Sequence, residues 1–87
     1  RSLFINDEAV RLTNREFELA VILLQRIGEL LHRDVLLRSV WGLDESIGTR
    51  TLDTHVSRLR KKLGLNGDFG LQLRSVYQLG YRLEKLS

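Results

Sequence analysis

Two short apolar runs near the start of the chain predict a β-hairpin. Residues 3–5 and 9–12 are mostly apolar, and Asn6, Asp7 and Glu8 between them are of types that favour turns. Because a two-stranded hairpin is only marginally stable alone, we expect it to pack on another part of the chain.

The apolar residues then take up a helical spacing, which predicts a first helix over residues 14–27. Thr13 followed by Glu16 has the form of a capping box, in which a hydroxyl and a carboxylate satisfy two backbone amides. Gly28 is suited to the position just beyond a helix. The residues expected to face the core are Phe17, Ala20, Val21, Leu24 and Ile27.

A shorter second helix is predicted over residues 33–41, although His32 is a weaker N-cap residue than Ser, Thr or Asp. Residues 42–48, "GLDESIG", hold two glycines and two acids without periodicity, which indicates a solvated loop. The apolar positions of the second helix are Leu36, Leu37, Val40 and Trp41.

The third predicted helix, about residues 49–63, separates apolar from basic residues along its length. At 100° per residue, four apolar side chains fall within about 60° of one another. These four are Leu52, Val56, Leu59 and Leu63. The opposite side holds Arg50, Thr54, Ser57, Arg58 and Lys61, with Thr51 at its edge, Asp53 and Arg60 on one flank, and His55 and Lys62 on the other.

A second hairpin is predicted over residues 71–84, with its turn near residues 78–80, because apolar and polar residues alternate on both sides of that turn. The elements therefore follow the order strand, strand, three helices, hairpin. We expect a single α+β domain over residues 1–87.

Composition excludes several function classes. The 87 residues contain no Cys, so thiol catalysis and Cys-based metal sites are ruled out. Thr54 and Ser57 have no nucleophile–base arrangement around them, and His32 and His55 lack a third metal ligand. We therefore predict neither an enzyme, nor a metal site, nor a cofactor. Asp53 is interpreted as a helix-dipole or local salt-bridge partner, and Trp41 as a core residue.

The location and the extent of the full protein are also expectations. No apolar run approaches the ~20 residues that cross a bilayer, and no signal peptide is visible, which fits a cytoplasmic location without membrane contact. The chain has no Met and opens on the strand-like "RSLFIN", so we expect further residues upstream.

Charge is the feature that points to a partner. Residues 50–62 hold five basic residues and one acid, a net charge of +4, while the rest of the chain, with nine basic and ten acidic residues, is at −1. A basic helix face beside a hairpin favours double-stranded DNA, since cations near phosphates release counterions. A surface helix with a solvated basic face is the alternative.

Four motifs in order resemble the winged-helix effector domain of OmpR/PhoB-type response regulators. "LTNREFELAVILL" is similar to the family's L-T-x-x-E-F-x-L-L, and "RDVLLRSVWG" to its R-x-x-L-L-x-x-V-W-G. "RTLDTHVSRLRKKL" and "GYRL" are similar to its R-T-V-D-x-H-I-x-x-L-R-K-K-L and G-Y-x-[LF]. The resemblance covers the chain from its first strand to its last.

The resemblance implies a winged helix-turn-helix fold in which the N-terminal hairpin is the remnant of a small antiparallel sheet, the third helix lies in the major groove and the hairpin of residues 71–84 is the wing. It implies a transcription regulator that binds DNA, with two protomers on direct repeats. It implies an upstream receiver domain, phosphorylated by a sensor kinase, and contact with RNA polymerase. The implied DNA-facing residues are Arg50, Thr51, Thr54, His55, Ser57 and Arg58, with Arg33, Arg60, Lys61 and Ser75 at the backbone. The implied polymerase loop is Gly42, Leu43, Asp44, Glu45, Ser46, Ile47 and Gly48.

The wing tip departs from the family pattern. Where the family commonly reads V-R-G-x-G-Y, this chain has Tyr77 in place of the arginine and Gln78 in place of a turn glycine. Tyr77 can hydrogen-bond or lie on a sugar, but it cannot supply the positive charge that favours narrow minor grooves. Tyr77 is therefore either a DNA contact or a solvent-exposed residue. With the acidic loop, this departure also motivates the alternative of a winged-helix module that binds proteins.

Overall fold

The computed structural model describes residues 2–5, 8–42 and 46–86 and contains three helices and two hairpins in the predicted order. The winged-helix α+β prediction is confirmed. The strands are β1 (Ser2–Ile5), β2 (Glu8–Arg11), β3 (Leu31–His32), β4 (Leu71–Val76) and β5 (Gly80–Lys85). The helices are α1 (Asn14–Gln25), α2 (Arg33–Trp41) and α3 (Thr49–Lys62).

The start of α1 confirms the predicted capping box, but the helix ends earlier than predicted. The Thr13 hydroxyl accepts a hydrogen bond from the Glu16 N–H at 3.2 Å, and Glu16 Oε1 accepts one from the Thr13 N–H at 2.9 Å. The predicted end at Ile27 is wrong, since the last helical residue is Gln25. The N–H of Gly28 bonds the Leu83 carbonyl at 2.8 Å, so this turn is tied to β5 instead of continuing the helix.

The predicted core face of α1 is wrong in part. The residues that the structure buries are Glu16, Leu19, Ala20 and Leu23, while Leu24 and Ile27 are exposed. Residues 19–24 are apolar almost all round the helix, so their spacing does not select a face. The side on which α2 and α3 pack makes that selection.

The strands form two separate sheets. β1 pairs with β2 antiparallel, and a second sheet has the order β3-β5-β4, also antiparallel. The sequence did not predict β3, because a strand of two residues is too short for an alternating pattern to appear. It brings the residues just before α2 beside the wing.

Glycine is required where β3 meets the wing. Gly80 lies opposite His32 in the register, and a Cβ atom on Gly80 would overlap the Leu31 carbonyl oxygen and lie 2.9 Å from His32 Cα. The backbones of the two strands therefore approach too closely for any side chain at this position.

A core of leucine and valine side chains joins the three helices to the second sheet. Each of α1, α2 and α3 contributes buried residues, and Leu73 and Leu83 come from the paired strands of the wing. Leu12, Leu65 and Tyr81 are among the further buried members. α3 ends at Lys62, and just beyond it Gly64 adopts a φ of 61° that lets the Leu65 N–H bond the Arg60 carbonyl at 3.0 Å.

Candidate nucleic-acid interface

The outward face of α3, defined as Arg50, Thr54, Ser57, Arg58 and Lys61, is solvent-exposed at all five positions. Among the described residues, no ion pair involves any of its three cations. The Thr54 hydroxyl donates to the Arg50 carbonyl at 2.9 Å. The helix therefore presents unpaired positive charge next to hydroxyl groups, a combination that suits phosphates and base edges.

The opposite face of α3 fixes the helix in the core, as predicted. Leu52, Val56 and Leu59 are almost fully buried, and Leu63 follows them just past the helix end. Burying a leucine or valine side chain contributes roughly 1.5–3 kcal/mol. Displacing α3 from the core would lose several such contributions, so the outward face has a fixed position.

A partly buried ion pair joins the C-terminal end of α3 to the start of α1. Lys62 Nζ lies 2.7 Å from Glu16 Oε1, and Glu16 is only 1% exposed. Burial raises the pKa of the Glu16 carboxyl, but the Lys62 ammonium and the Thr13 N–H outweigh burial and hold that pKa below its ordinary value. Lys62 is thus engaged by the protein, unlike its neighbour Lys61.

Arg60 links the same end of α3 to the wing. Its Nη2 donates to the Leu73 carbonyl at 2.8 Å and reaches the Ser75 hydroxyl at 3.5 Å. The structure therefore brings together Arg60 and Ser75, two of the residues predicted to meet the DNA backbone. Ser75 itself is exposed on β4.

Three side chains form a cluster at the N-terminal half of α3. Asp53 Oδ1 accepts hydrogen bonds from Arg33 Nη1 and from the Tyr81 hydroxyl, and Arg33 Cζ lies 5.2 Å from the centre of the Tyr81 ring. The prediction of a local partner for Asp53 is wrong, because both partners come from other elements, α2 and β5. The three residues are 20 and 28 positions apart in the chain, so no local sequence pattern could indicate the role of Tyr81.

The cluster has defined protonation states. Burial raises the pKa of the Asp53 carboxyl, yet the Tyr81 and Arg33 donors outweigh burial and hold that pKa below its ordinary value. Burial and the neighbouring Asp53 carboxylate raise the pKa of Tyr81. At neutral pH the cluster therefore contains a carboxylate, a guanidinium and a neutral phenol.

His55 lies on the flank of α3 and not on its outward face. Its Nδ1 is 2.8 Å from the Thr51 carbonyl oxygen, and its ring meets the Trp41 ring edge-on with centroids 4.9 Å apart. Trp41 is partly buried against the core, as expected of it, while His55 and Thr51 are half-buried.

The wing tip is exposed and uncharged. Tyr77 is 84% exposed, and its hydroxyl accepts a hydrogen bond from Gln78 Nε2 at 3.3 Å. Gln78 adopts φ 59°, the left-handed conformation that glycine tolerates best, and the turn spans residues 77–79, one residue earlier than predicted.

The two arginines on the strands of the wing are paired. Arg74 Nε and Arg82 Nε lie 2.8 Å and 2.9 Å from the two oxygens of Glu84. Hydrogen bonding to Arg74, with Arg82 adding to it, lowers the pKa of the Glu84 carboxyl. This carboxylate offsets part of the positive charge that the strands carry.

The predicted polymerase loop is described only in part. Leu43, Asp44 and Glu45 lie outside the described residues, while Gly42 follows α2 at φ 73° and Gly48 is the N-cap residue of α3. Within the described ranges, no group of three potential metal ligands is present. The helices there are all too short or too polar to span a membrane.

A family model described as "Transcriptional regulatory protein, C terminal" matches residues 7–83. The chain is 39% identical over 84 residues to the transcriptional regulatory protein VxrB of Vibrio cholerae, covering 97% of this chain and 32% of that protein. It is 40% identical over 80 residues to the sensory transduction protein RegX3 of Mycobacterium leprae, covering 92% of this chain and 40% of that protein. The chain thus spans about a third of the length of the curated relatives it matches.

Solved structures show the same fold. The DNA-binding domain of Bacillus subtilis CssR superposes with a TM-score of 0.83 at 30% identity, covering 95% of this chain and 90% of that one. The Klebsiella pneumoniae RstA DNA-binding domain, solved in complex with the RstA box, gives a TM-score of 0.78 at 29% identity, covering 97% and 83%.

Proposed function

The chain belongs to the family of C-terminal domains of transcriptional regulatory proteins, and we propose that it binds double-stranded DNA through α3. The observation that carries this proposal is the outward face of α3, which is exposed and free of ion pairs among the described residues, opposite a stripe buried in the core. The family is one of regulatory domains and not of enzymes.

In the proposed complex α3 lies in the major groove. The guanidinium groups of Arg50 and Arg58 are suited to bidentate contacts with guanine, and the Thr54 and Ser57 hydroxyls to phosphates or base edges. Thr51 and His55 remain predicted contacts at the edge of this surface. The predicted backbone contacts are Arg33, Arg60, Lys61 and Ser75.

The wing is proposed to contribute less than α3 to affinity. Its tip residue Tyr77 is neutral, and Glu84 is paired with the two strand arginines. Because affinity for DNA depends strongly on the cations that displace counterions, a neutral tip adds little to the salt-dependent part of binding.

The proposal is tested by titrating the 87-residue chain into a labelled duplex at several salt concentrations. We expect affinity to fall steeply with salt, and Arg58→Ala to make the log–log slope shallower by about one unit. Arg26→Ala, which removes an exposed cation paired with Glu29 beyond α1, is the matched control and should leave the slope unchanged. A folded chain that binds no duplex at low salt would instead favour the protein-binding alternative.

We also propose a wider context for the full protein. A domain spanning about a third of its relatives, one of them named a sensory transduction protein, fits a regulator with an upstream receiver domain and a sensor kinase. Residues 42–48 are the proposed contact for RNA polymerase, and two protomers are proposed to bind direct repeats in the cytoplasm. Measuring the stoichiometry of the full-length protein on duplex, with and without a phosphodonor, tests this arrangement.

A further inference from the structure

We infer that Asp53 sets the specificity of DNA binding, by holding Arg33 in one orientation and by keeping a carboxylate within the surface that faces DNA. This inference rests on the proposed function. Asp53 is the one acidic residue in the basic segment 50–62, and attraction between cations and DNA does not explain why it is there. The inference assigns it a role.

The first part concerns the orientation of Arg33. Its guanidinium donates to Asp53 and lies over the Tyr81 ring. The backbone N–H of Arg33 donates to the Leu79 carbonyl at 3.1 Å. Tyr81 is itself buried and donates to the same carboxylate oxygen. The start of α2, the N-terminal half of α3, the last residue of the wing turn and the start of β5 therefore converge on one arginine.

This convergence matters for binding because a free arginine side chain has high rotamer entropy, which it loses when it is immobilised. A guanidinium already held by Asp53 and Tyr81 loses little of that freedom when it meets a phosphate. The benefit arises only when the phosphate is where the held guanidinium points. Arg33 therefore stabilises the complex more in one position along the duplex than in others.

The second part concerns the charge of Asp53. Its side chain remains 46% exposed and lines an open depression together with Arg50, Thr54, Ser57 and Arg58. A carboxylate in this position repels any phosphate that enters the depression, and such like-charge contacts suppress wrong binding modes. In the correct register Arg33 lies between the carboxylate and the phosphate and offsets the repulsion.

The test uses two probes, a duplex that the wild-type chain selects from a randomised pool and the non-specific polymer poly(dI–dC). Asp53→Asn should weaken binding to the selected duplex about tenfold, while affinity for poly(dI–dC) stays constant or rises. Tyr81→Phe, which keeps the carboxylate but removes one donor, should weaken binding to the selected duplex less and leave poly(dI–dC) binding unchanged. It also serves as the second variant if Asp53→Asn fails to fold, which thermal unfolding would reveal.

Two controls separate orientation from charge. Asp34 is an exposed acid in the first turn of α2, and among the described contacts it has no hydrogen bond to Arg33. Asp34→Asn should therefore change the affinities for the selected duplex and for poly(dI–dC) by the same factor. In an Arg33→Met background, Asp53→Asn should lose most of its effect on the selected duplex, since there is no guanidinium left to hold.

The outcomes distinguish this inference from the proposed function. If the wild-type chain enriches no duplex, the proposed function fails and the inference falls with it. If the wild type selects a duplex but Asp53→Asn changes both affinities in parallel, or changes neither, the inference alone is overturned.

Discussion

α3 and the C-terminal hairpin are both exposed elements expected to meet DNA, yet they carry charge differently. The three cations on the outward face of α3 have no ion-pair partners among the described residues, whereas Arg74 and Arg82 of the hairpin both pair with Glu84. The hairpin tip carries Tyr77 instead of a cation. The difference teaches that two exposed elements with several basic residues each can differ in how much of that charge is left unpaired, and the proposed DNA contact through α3 rests on this difference.

The two elements also differ in how they are attached to the core. Side chains hold α3, through its buried stripe and the Glu16–Lys62 pair. The turn end of the hairpin is held largely by backbone, where Gly80 lies against β3. Different kinds of substitution should therefore detach them.

Gly80→Ala should break the attachment of the hairpin and have the largest effect on stability. The new Cβ would overlap backbone atoms of Leu31 and His32, which have no rotamer by which to move aside. We expect the free energy of unfolding to fall by about 4 kcal/mol or more, measured by urea denaturation. Gly48→Ala is the control, since a Cβ there meets no atom within 4 Å, and it should cost about 1 kcal/mol or less. Equal losses in the two variants would contradict the close approach.

Lys62→Met should loosen the C-terminal end of α3. It leaves the buried Glu16 carboxylate without its cation, so we expect the free energy of unfolding at pH 7 to fall by about 2 kcal/mol. Lys61→Met removes an exposed charge one residue away and should change stability by less than about 0.5 kcal/mol.

The pH dependence of the same pair has a defined sign. In the wild type the folded pKa of Glu16 is lowered, so its contribution is present above the unfolded pKa of about 4.3 and is lost as pH falls through the folded pKa. In Lys62→Met, burial without the ammonium should raise that pKa. The stability difference between the two chains should therefore shrink from pH 7 towards pH 4, and a constant difference would mean that the pair does not fix α3.

The amphipathic pattern of α3 explains why the sequence predicted its faces so well. Its stripe of Leu52, Val56, Leu59 and Leu63 is separated from the polar residues, so periodicity alone selects the buried side. In α1 the run of residues 19–24 is apolar on all sides, and only tertiary packing decides that Leu23 is buried and Leu24 exposed.

Contacts between distant residues could not be predicted from spacing. The capping box identified Glu16 through a partner three residues away, but its ion pair with Lys62 spans 46 residues. Asp53 likewise meets Arg33 and Tyr81 at separations of 20 and 28 residues. Such pairs depend on how the helices and strands pack, which no local pattern in one sequence records.

Tyr77→Arg should reduce the difference in charge between the hairpin and α3. A cation at the exposed tip should tighten duplex binding by up to about tenfold and make the log–log salt slope more negative by up to about one unit. Gln25→Arg, which adds the same charge at the exposed end of α1, should change the slope less. Unchanged affinity and slope in Tyr77→Arg would place the wing tip away from the DNA.

Gln78→Gly should have the smallest effect on stability, and it tests the backbone conformation of the wing tip. Gln78 holds φ 59°, which costs a residue with a side chain about 1–2 kcal/mol. Glycine removes that cost but gains freedom in the unfolded chain, so we expect a net gain of about 0.5 kcal/mol in thermal unfolding. Gln72→Gly within β4 has no such conformation to relieve and should instead destabilise.

The effect of Gln78→Gly on DNA binding then separates two roles of the tip. The substitution removes the hydrogen bond from Gln78 Nε2 to the Tyr77 hydroxyl. Unchanged affinity would show that α3 binds without help from this bond, as its unpaired cations suggest. Weaker binding by the more stable variant would show that Gln78 orients Tyr77 towards DNA, since a gain in folding stability cannot itself reduce affinity.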